Sequence, residues 1–518
     1  MFQTVQSAAL CGIHVFPVSI EVDIRSGLPM FDMVGLLSSE VLEAKERVRT
    51  ALHNCGISLP PSRITVNFSP ADRKKTGSLF DLPIAVGLLS CLEKIETDLL
   101  PKALFLGELS LDGKVRPVKG VLPIVDYARK HPIHYLFLPK ENLKEASIFP
   151  ELKVVGVSSL HEMIGILNNH VKILTSFQNL DDLIEKNYHS LPYDMKDISG
   201  QESAKRGIKV AVAGMHHLLL AGPPGSGKTM LAKRIPSILP KLSKEEAIEI
   251  SKIYSVAGLL PKEGLILSRP FRETHSSIRT PGLIGGMTPP VPGEVSLSHK
   301  GVLFLDEYAE FSKQTIESLR APLEEQEIRI HRASGLYHFP AEFMMVCATN
   351  LCPCGHFPNR KKCNCSSRAI ERYLSKISGP ILDRIDLGLL MEKIPIQKLR
   401  DNFACQSSAS MREDIERARH VQKKRFQGTG IHFNSRMTVK DLKQFCPMSG
   451  DAENFLQLAY DSLDLSARGY HKIIKVARTI ADLKECKEIS IDHIAEAVSY
   501  RISDMKSFVN FNSTEEDL

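Results

Sequence analysis

The rhythm of apolar and polar positions changes twice along the chain. In the first third, Arg63-Ile-Thr-Val-Asn-Phe68 alternates with the period of two expected of a half-buried strand. Val41–Leu52 carries apolar or small residues at 41, 42, 44, 48, 51 and 52, a helical stripe with charges opposite it. Lys102–Gly107 reads as a further strand, and Asp112-Gly113 is a hairpin-turn signal within Gly107–Lys114. These elements predict a compact α/β domain over residues 1–168. The polar stretch through Asn187-Tyr-His-Ser-Leu-Pro192 predicts a linker over 169–195.

From Gly200 the pattern becomes one of short apolar runs alternating with helical stripes. Ala204–Ala213 reads as helix and His217–Ala221 as a short buried strand. Strand–loop–helix units then recur to about 395, the mark of a parallel sheet with crossover helices. The last third is mainly helical, at Met411–Phe426, Ala452–Leu465, Gly469–Leu483 and Ile491–Ile502. This predicts an α/β P-loop core over 196–395, a helical lid over 396–506 and a tail over 507–518 whose acidic end, Ser513–Leu518, frays.

Length and composition sharpen this only modestly. A chain of 518 residues has room for three domains, and 43% hydrophobic with 24% charged residues excludes general disorder or a rod. No apolar run is long enough to span a bilayer, and Met1–Ile20 lacks the basic and apolar regions of a signal peptide. The expectation is a soluble, cytoplasmic protein with no membrane partner.

The net charge of +6 is mild but local. Residues 1–170 balance to zero and 401–518 to −1, whereas 171–400 carries +7. Within that segment, 351–380 contributes +5, from Arg360, Lys361, Lys362, Arg368, Arg372 and Lys376 against Glu371. Five of the eleven cysteines lie between 347 and 365.

The clearest chemistry is Gly222-Pro223-Pro224-Gly225-Ser226-Gly227-Lys228-Thr229, directly after an apolar strand and opening a helix. Inward-pointing backbone N–H groups and the helix N-terminus make such a loop a phosphate cradle. Lys228 is suited to the β- and γ-phosphates of ATP, and the Thr229 hydroxyl to Mg²⁺. About 80 residues on, Val302-Leu-Phe-Leu-Asp-Glu307 is a buried strand ending in two carboxylates. Asp306 is the expected second holder of Mg²⁺, and Glu307 the general base for the attacking water.

Two adjacent carboxylates at this place resemble the hydrolysing AAA+ class of P-loop proteins. The resemblance implies a polar sensor at the end of the next strand, met by Asn350 in Phe343–Asn350. It implies an arginine finger offered to a neighbouring subunit, met by Arg384 in Gly379-Pro-Ile-Leu-Asp-Arg-Ile-Asp386. It implies a sensing arginine in the lid, met by Arg468 in Ser466-Ala-Arg468, with Arg478 as the competing candidate. A finger acting in trans implies self-association as a closed ring, six subunits being the family habit.

More specific stretches are Arg269-Pro-Phe-Arg272, Pro292–Leu297, Leu319-Arg-Ala-Pro-Leu-Glu324, Asn350–Gly355, Ile377–Asp386 and Ala477–Leu483. In the first domain they are joined by Gly35-Leu36, Arg63–Asn67, Pro70-Ala71-Asp72, Gly77-Ser78 and Phe80-Asp-Leu-Pro83. Together they resemble the ComM/YifB family, often called magnesium chelatase-like. That resemblance implies a bacterial ring-forming ATPase with a Lon-protease-like first domain, acting in ComM-type proteins as a branch-migration helicase during recombination in natural transformation. The alternatives are a chelatase-type motor for metal insertion into a tetrapyrrole and a protein-remodelling AAA+ assembly. In the Lon-like domain, Ser78 stands at the nucleophile position, but Leu122 occupies the place of the partner lysine, and a serine without that base is not activated.

Two further features bear on DNA and metal. Residues 258–300 read as a pore-facing insertion with Arg269, Arg272, His275 and Arg279, and Glu327–Arg332 with Gly335–His338 read as a β-hairpin. Its Arg329 and Arg332 are candidate contacts for a phosphate backbone, the alternative being solvated charges. Without a base-reading motif, such contacts are sequence-tolerant. Cys352-x-Cys354 and Cys363-x-Cys365 suit structural Zn²⁺, with His356 as a spare ligand, or else are free or redox-active thiols. A zinc-pinned knuckle would present Arg360, Lys361 and Lys362 to DNA.

Overall fold

A computed structural model describes residues 1–169, 177–188, 193–333, 335–377, 379–393 and 406–501. The 507–518 tail, His189–Pro192 of the linker and the 396–405 and 502–506 ends of the lid lie outside the described residues.

The first domain is built on a seven-stranded sheet ordered Met30–Val34, Arg63–Ser69, His14–Arg25, Phe2–Cys11, Ala103–Phe105, Tyr135–Pro139 and Lys153–Val157. Arg63–Ser69 alternates inward and outward as its sequence predicts, with Ile64, Val66 and Phe68 buried. Helix Ser39–Asn54 buries Val41, Ala44, Val48, Ala51 and Leu52, while Leu42 from the predicted stripe is 50% exposed. The Asp112-Gly113 turn forms, with Gly113 at φ +81°, between short strands Glu108–Leu109 and Val115–Arg116.

The hydrophobic core of this domain does not stop at residue 168. It takes in Leu242, Ala247, Ile250, Ile253, Tyr254, Leu265 and Leu297 from beyond the P-loop. Helix Lys244–Ala257 supplies four of these, capped by a Ser243/Glu246 box. The buried Ser255 hydroxyl donates to Glu145 at 2.7 Å. The two segments therefore share one apolar interior. The polar stretch read as a linker carries helix Leu180–Tyr188, tied to helix Lys244–Ala257 by Lys244–Asp181 at 2.6 Å and to the lid by Tyr188–Glu416 at 2.8 Å.

The P-loop core holds a five-stranded sheet ordered Phe271–Thr274, Val302–Leu305, Met344–Thr349, Leu218–Ala221 and Leu387–Leu390, every pair parallel. Here one expectation is corrected. Residues 258–300 are not wholly an insertion, because Phe271–Thr274 is the edge strand beside Val302–Leu305. Only four residues long and polar at three of them, an edge strand with one neighbour shows no clean periodicity. Arg269 is buried and bonded to Pro240 O, Lys300 O and Glu246, and Arg272 grips Glu294 with two bonds at 2.6 and 2.8 Å. Both guanidinium groups are thus engaged in bonds within the chain.

The lid comprises helices Ser408–Arg425, Val439–Phe445, Gly450–Ser462, Ala467–Leu483 and Ile491–Ser499, and it shares a core with helix Glu202–Gly214. No described helix is long and apolar enough to cross a membrane.

Candidate functional site

Three strand ends converge on one cradle. Leu218–Ala221 delivers the P-loop, Val302–Leu305 delivers Asp306 and Glu307, and Met344–Thr349, lying between them, delivers Asn350. Since all are parallel, the three polar groups stand at the same carboxyl edge of the sheet. The loop turns through Gly225 at φ +75° and Gly227 at φ +91°, conformations that favour glycine. A Cβ added at Gly225 would meet nothing within 4 Å, so the loop arches over open space.

Within the cradle the side chains partner one another. Lys228 Nζ donates to Gly222 O at 2.7 Å, Pro223 O at 2.9 Å and Asn350 Oδ1 at 3.2 Å. Burial pulls this ammonium down to about 8, against the attraction of Asp306. Thr229 Oγ1 donates to Asp306 Oδ2 at 2.9 Å, and the Glu307 N–H to Asp306 Oδ1 at 2.9 Å. Glu307 is exposed and held at φ +52°, a left-handed conformation costing a non-glycine residue about 1–3 kcal/mol. The surrounding structure thus enforces the backbone conformation from which its carboxylate projects.

The arginines assemble elsewhere. Arg384 precedes strand Leu387–Leu390, at the amino edge of the sheet, where Leu387 N–H bonds His217 O at 3.1 Å just before the P-loop strand begins. A four-residue strand separates that edge from the cradle, roughly 13 Å. Arg384 and Arg468 both line a cleft of about 480 Å³ between core and lid, to which no P-loop residue contributes. Arg384 is ion-paired with Glu324, and Arg468, 64% exposed, lies 3.9 Å from Asp383. Behind them Lys472 bonds Ile385 O at 2.8 Å and Lys475 bonds Ser435 O at 2.9 Å, both ammonium groups pulled down by burial. Arg478 is committed inside the lid, where it bonds Asp482, Lys487 O and Cys486 O. Of the two lid candidates, only Arg468 faces outward.

Three family models match the chain. One, described as magnesium chelatase, subunit ChlI, covers residues 194–399. A second, subunit ChlI of Mg-chelatase, covers 20–142, and a third, magnesium chelatase, subunit ChlI C-terminal, covers 405–501. Competence protein ComM of Haemophilus influenzae is 39% identical over 498 residues, which is 96% of this chain and 97% of that protein. The uncharacterized protein YifB of Escherichia coli is 37% identical over 501 residues, again 96% and 97%. The chain belongs to the magnesium chelatase-like ComM/YifB family. Lon protease 2 of Bacillus subtilis is 28% identical over 236 residues, 40% of this chain and 42% of that protein.

The AAA+ proteins of the ComM/YifB family are ATPases, which implies ATP and Mg²⁺. The cradle fits both. Its loop opens on free space, and the Ser226 hydroxyl is buried with no hydrogen-bond partner. Thr229 and Asp306, already bonded to each other, are the residues that would hold Mg²⁺, which when bound neutralises charge on the phosphates.

The hairpin forms from Glu327–Arg332 and Gly335–Pro340, with Arg329 and Arg332 exposed. Arg329 is ion-paired with Glu327 and Glu325. The hairpin is braced by the first domain, where Cys11 Sγ donates to Leu336 O at 3.4 Å and His14 meets His338 edge-on. Arg360, Lys361 and Lys362 are exposed, and the Arg360 guanidinium lies 5.0 Å over Phe357. Ser78 Oγ donates to the Glu108 carboxylate, and Leu122 is buried in its own helix.

The four cysteines come together, with Sγ atoms all within 4.8 Å of one another. His356 is not a member of the group and instead lends its backbone N–H to Cys354. Glu324, Asp383 and Lys472 were not among the residues anticipated from sequence. Glu324 closes the Leu319–Glu324 stretch, and nothing in that sequence signals a pairing with Arg384.

Proposed function

We propose that this protein is an ATP-driven motor on DNA, working as a ring of six subunits, the family habit, and of the ComM type that promotes branch migration in recombination during natural transformation. The observation that carries the reading is the division of polar groups between two edges of one sheet. Lys228, Thr229, Asp306, Glu307 and Asn350 stand at the carboxyl edge, and Arg384 with Arg468 at the amino edge. A chain so built receives ATP at one edge and offers its arginines to a neighbour's ATP at the other. Lys228 binds the terminal phosphates, Glu307 takes the proton of the attacking water at its carboxylate, and Asn350 orients that water. Arg384 stabilises the charge that develops on the transferred phosphoryl group, a role that couples turnover to ring closure.

The DNA component draws support from the full-length likeness to a protein named for competence and from exposed cations on two protrusions. Arg329 and Arg332 on the hairpin, with Arg360, Lys361 and Lys362 on the cysteine knuckle, are proposed to contact the phosphate backbone. The first domain acts as a brace for the hairpin and not as a peptidase, its Ser78 being turned to a carboxylate. ATP hydrolysis measured with single-stranded, duplex and four-way-junction DNA tests the reading. Stimulation by DNA, with movement of a synthetic junction, is expected. A rate indifferent to all three, with no junction moved, would refute it. The names of the matching family models favour a second reading, a chelatase-type motor. It requires ATP turnover to respond to a metal-inserting partner complex and not to DNA.

A further inference from the structure

The cysteine cluster is arranged as a metal site and stands against the nucleotide cradle. Cys352 Sγ lies 3.4 Å from Cys354 Sγ and 3.8 Å from Cys363 Sγ, and Cys354 Sγ lies 3.6 Å from Cys363 Sγ. A tetrahedral zinc thiolate with bonds of about 2.3 Å has sulfur–sulfur edges of about 3.8 Å. A disulfide would bring one pair to about 2.0 Å, and all four cysteines are free. Cys352 also accepts the Phe357 N–H at 3.3 Å, the kind of backbone bond that orients a thiolate ligand. Two of the four are buried and two reach the surface, leaving a route for the ion.

What the cluster closes is equally specific. Cys352 follows Asn350 by two residues, and Asn350 bonds Lys228. Gly355, inside the knuckle at φ +80°, faces the P-loop so closely that a Cβ there would come within 2.9 Å of Pro224 Cδ and 3.9 Å of Asn350 Cγ. We infer that the four cysteines bind one zinc ion, and that the metal-closed knuckle holds the P-loop and Asn350 in register, so that zinc occupancy sets the rate of ATP turnover. Cys352, Cys354, Cys363 and Cys365 are the ligands. Gly355 is a positioning residue. The metal site stands on its own geometry, whereas the coupling rests on the nucleotide-site reading above.

Metal analysis of the purified full-length protein is expected to give one zinc per chain. Replacement by Co²⁺ should give the intense visible absorption of tetrahedral thiolate cobalt. Cys365→Ser should lose the metal and the signature, and Cys365→His, which keeps four ligands, should retain metal with a shifted spectrum. A metal-free protein that gains no such spectrum on adding Co²⁺, with thiols that all react freely, overturns the site. For the coupling, zinc removed by a chelator should lower kcat for ATP several-fold, restored by adding Zn²⁺ alone. Gly355→Ala should lower kcat with metal content unchanged. Equal rates with and without zinc overturn the coupling and leave the site. Normal hydrolysis by Lys228→Ala would instead show that the nucleotide site was misassigned.

Discussion

The nucleotide cradle and the arginine cleft are built on opposite edges of the same five-stranded sheet, yet they are finished to different degrees. In the cradle, polar groups pair within the chain, Lys228 with Asn350 and Thr229 with Asp306, around a loop that leaves open space. In the cleft, Arg384 and Arg468 are paired on the outer side with the exposed carboxylates of Glu324 and Asp383, while Lys472 and Lys475 are fixed behind them on backbone carbonyls. A site with pre-arranged partners awaits a small ligand. A cationic cleft closed on its outer side by exposed carboxylates suits an anion brought by a second molecule. The difference is what the proposed sharing of one catalytic unit between two copies of the chain requires.

Breaking the cleft should therefore have the largest effect. Arg384→Ala is expected to lower kcat by at least about 10³-fold, the usual worth of an arginine finger. Mixing it with Lys228→Ala protein should restore part of the activity, because one mixed interface then holds an intact lysine and an intact arginine. Full activity of Arg384→Ala by itself would show that the cleft serves no neighbour. On the cradle side, Glu307→Gln should bind ATP but lose about 10²–10⁴-fold in turnover, the range for a general base. Nucleotide retention on a filter, beside a phosphate-release assay, separates binding from chemistry.

Most of the cradle was legible in sequence because its parts are contiguous. A glycine-rich loop flanked by an apolar run and a helix needs no tertiary knowledge, and Val302–Leu305 declares itself as a buried strand ending in acids. The fold class was legible for the same reason. The edge strand Phe271–Thr274 was not, since four residues with one covered face carry no period. Nor was the merging of helix Lys244–Ala257 into the first domain's core, because its apolar face looks the same whichever partner covers it. The cleft was half legible: Arg384 and Arg468 came from order along the chain, but the pairing of Arg384 with Glu324 depends on folding across 60 residues.

A titration sharpens the cradle side. Lys228 sits at about 8 in the nucleotide-free cradle because burial disfavours its charge. Phosphate favours the charged form, so binding raises the group again and takes up a proton above that pH. Nucleotide affinity should therefore be flat at and below about pH 7 and fall by up to roughly tenfold per pH unit above about 8. Lys228→Arg, charged throughout, should show no such inflection. The same slope in both proteins would place the titration elsewhere.

The smallest expected effect tests how exchangeable the cleft's partners are. Glu324 is half exposed, so water screens its end of the pair although the Arg384 side chain is only 9% exposed, and a half-screened ion pair of this kind is worth about 1 kcal/mol. That is enough to hold Arg384 in the free chain and too little to compete with a triphosphate. Glu324→Gln should remove the competitor, so half-maximal ATPase should be reached at a lower protein concentration, by no more than about fivefold, with little change in the saturated rate. Loss of the saturated rate would instead mean that Glu324 aims Arg384, and that the cleft is as fully pre-arranged as the cradle. Measuring ATPase against protein concentration for the two proteins decides between a latch and a guide.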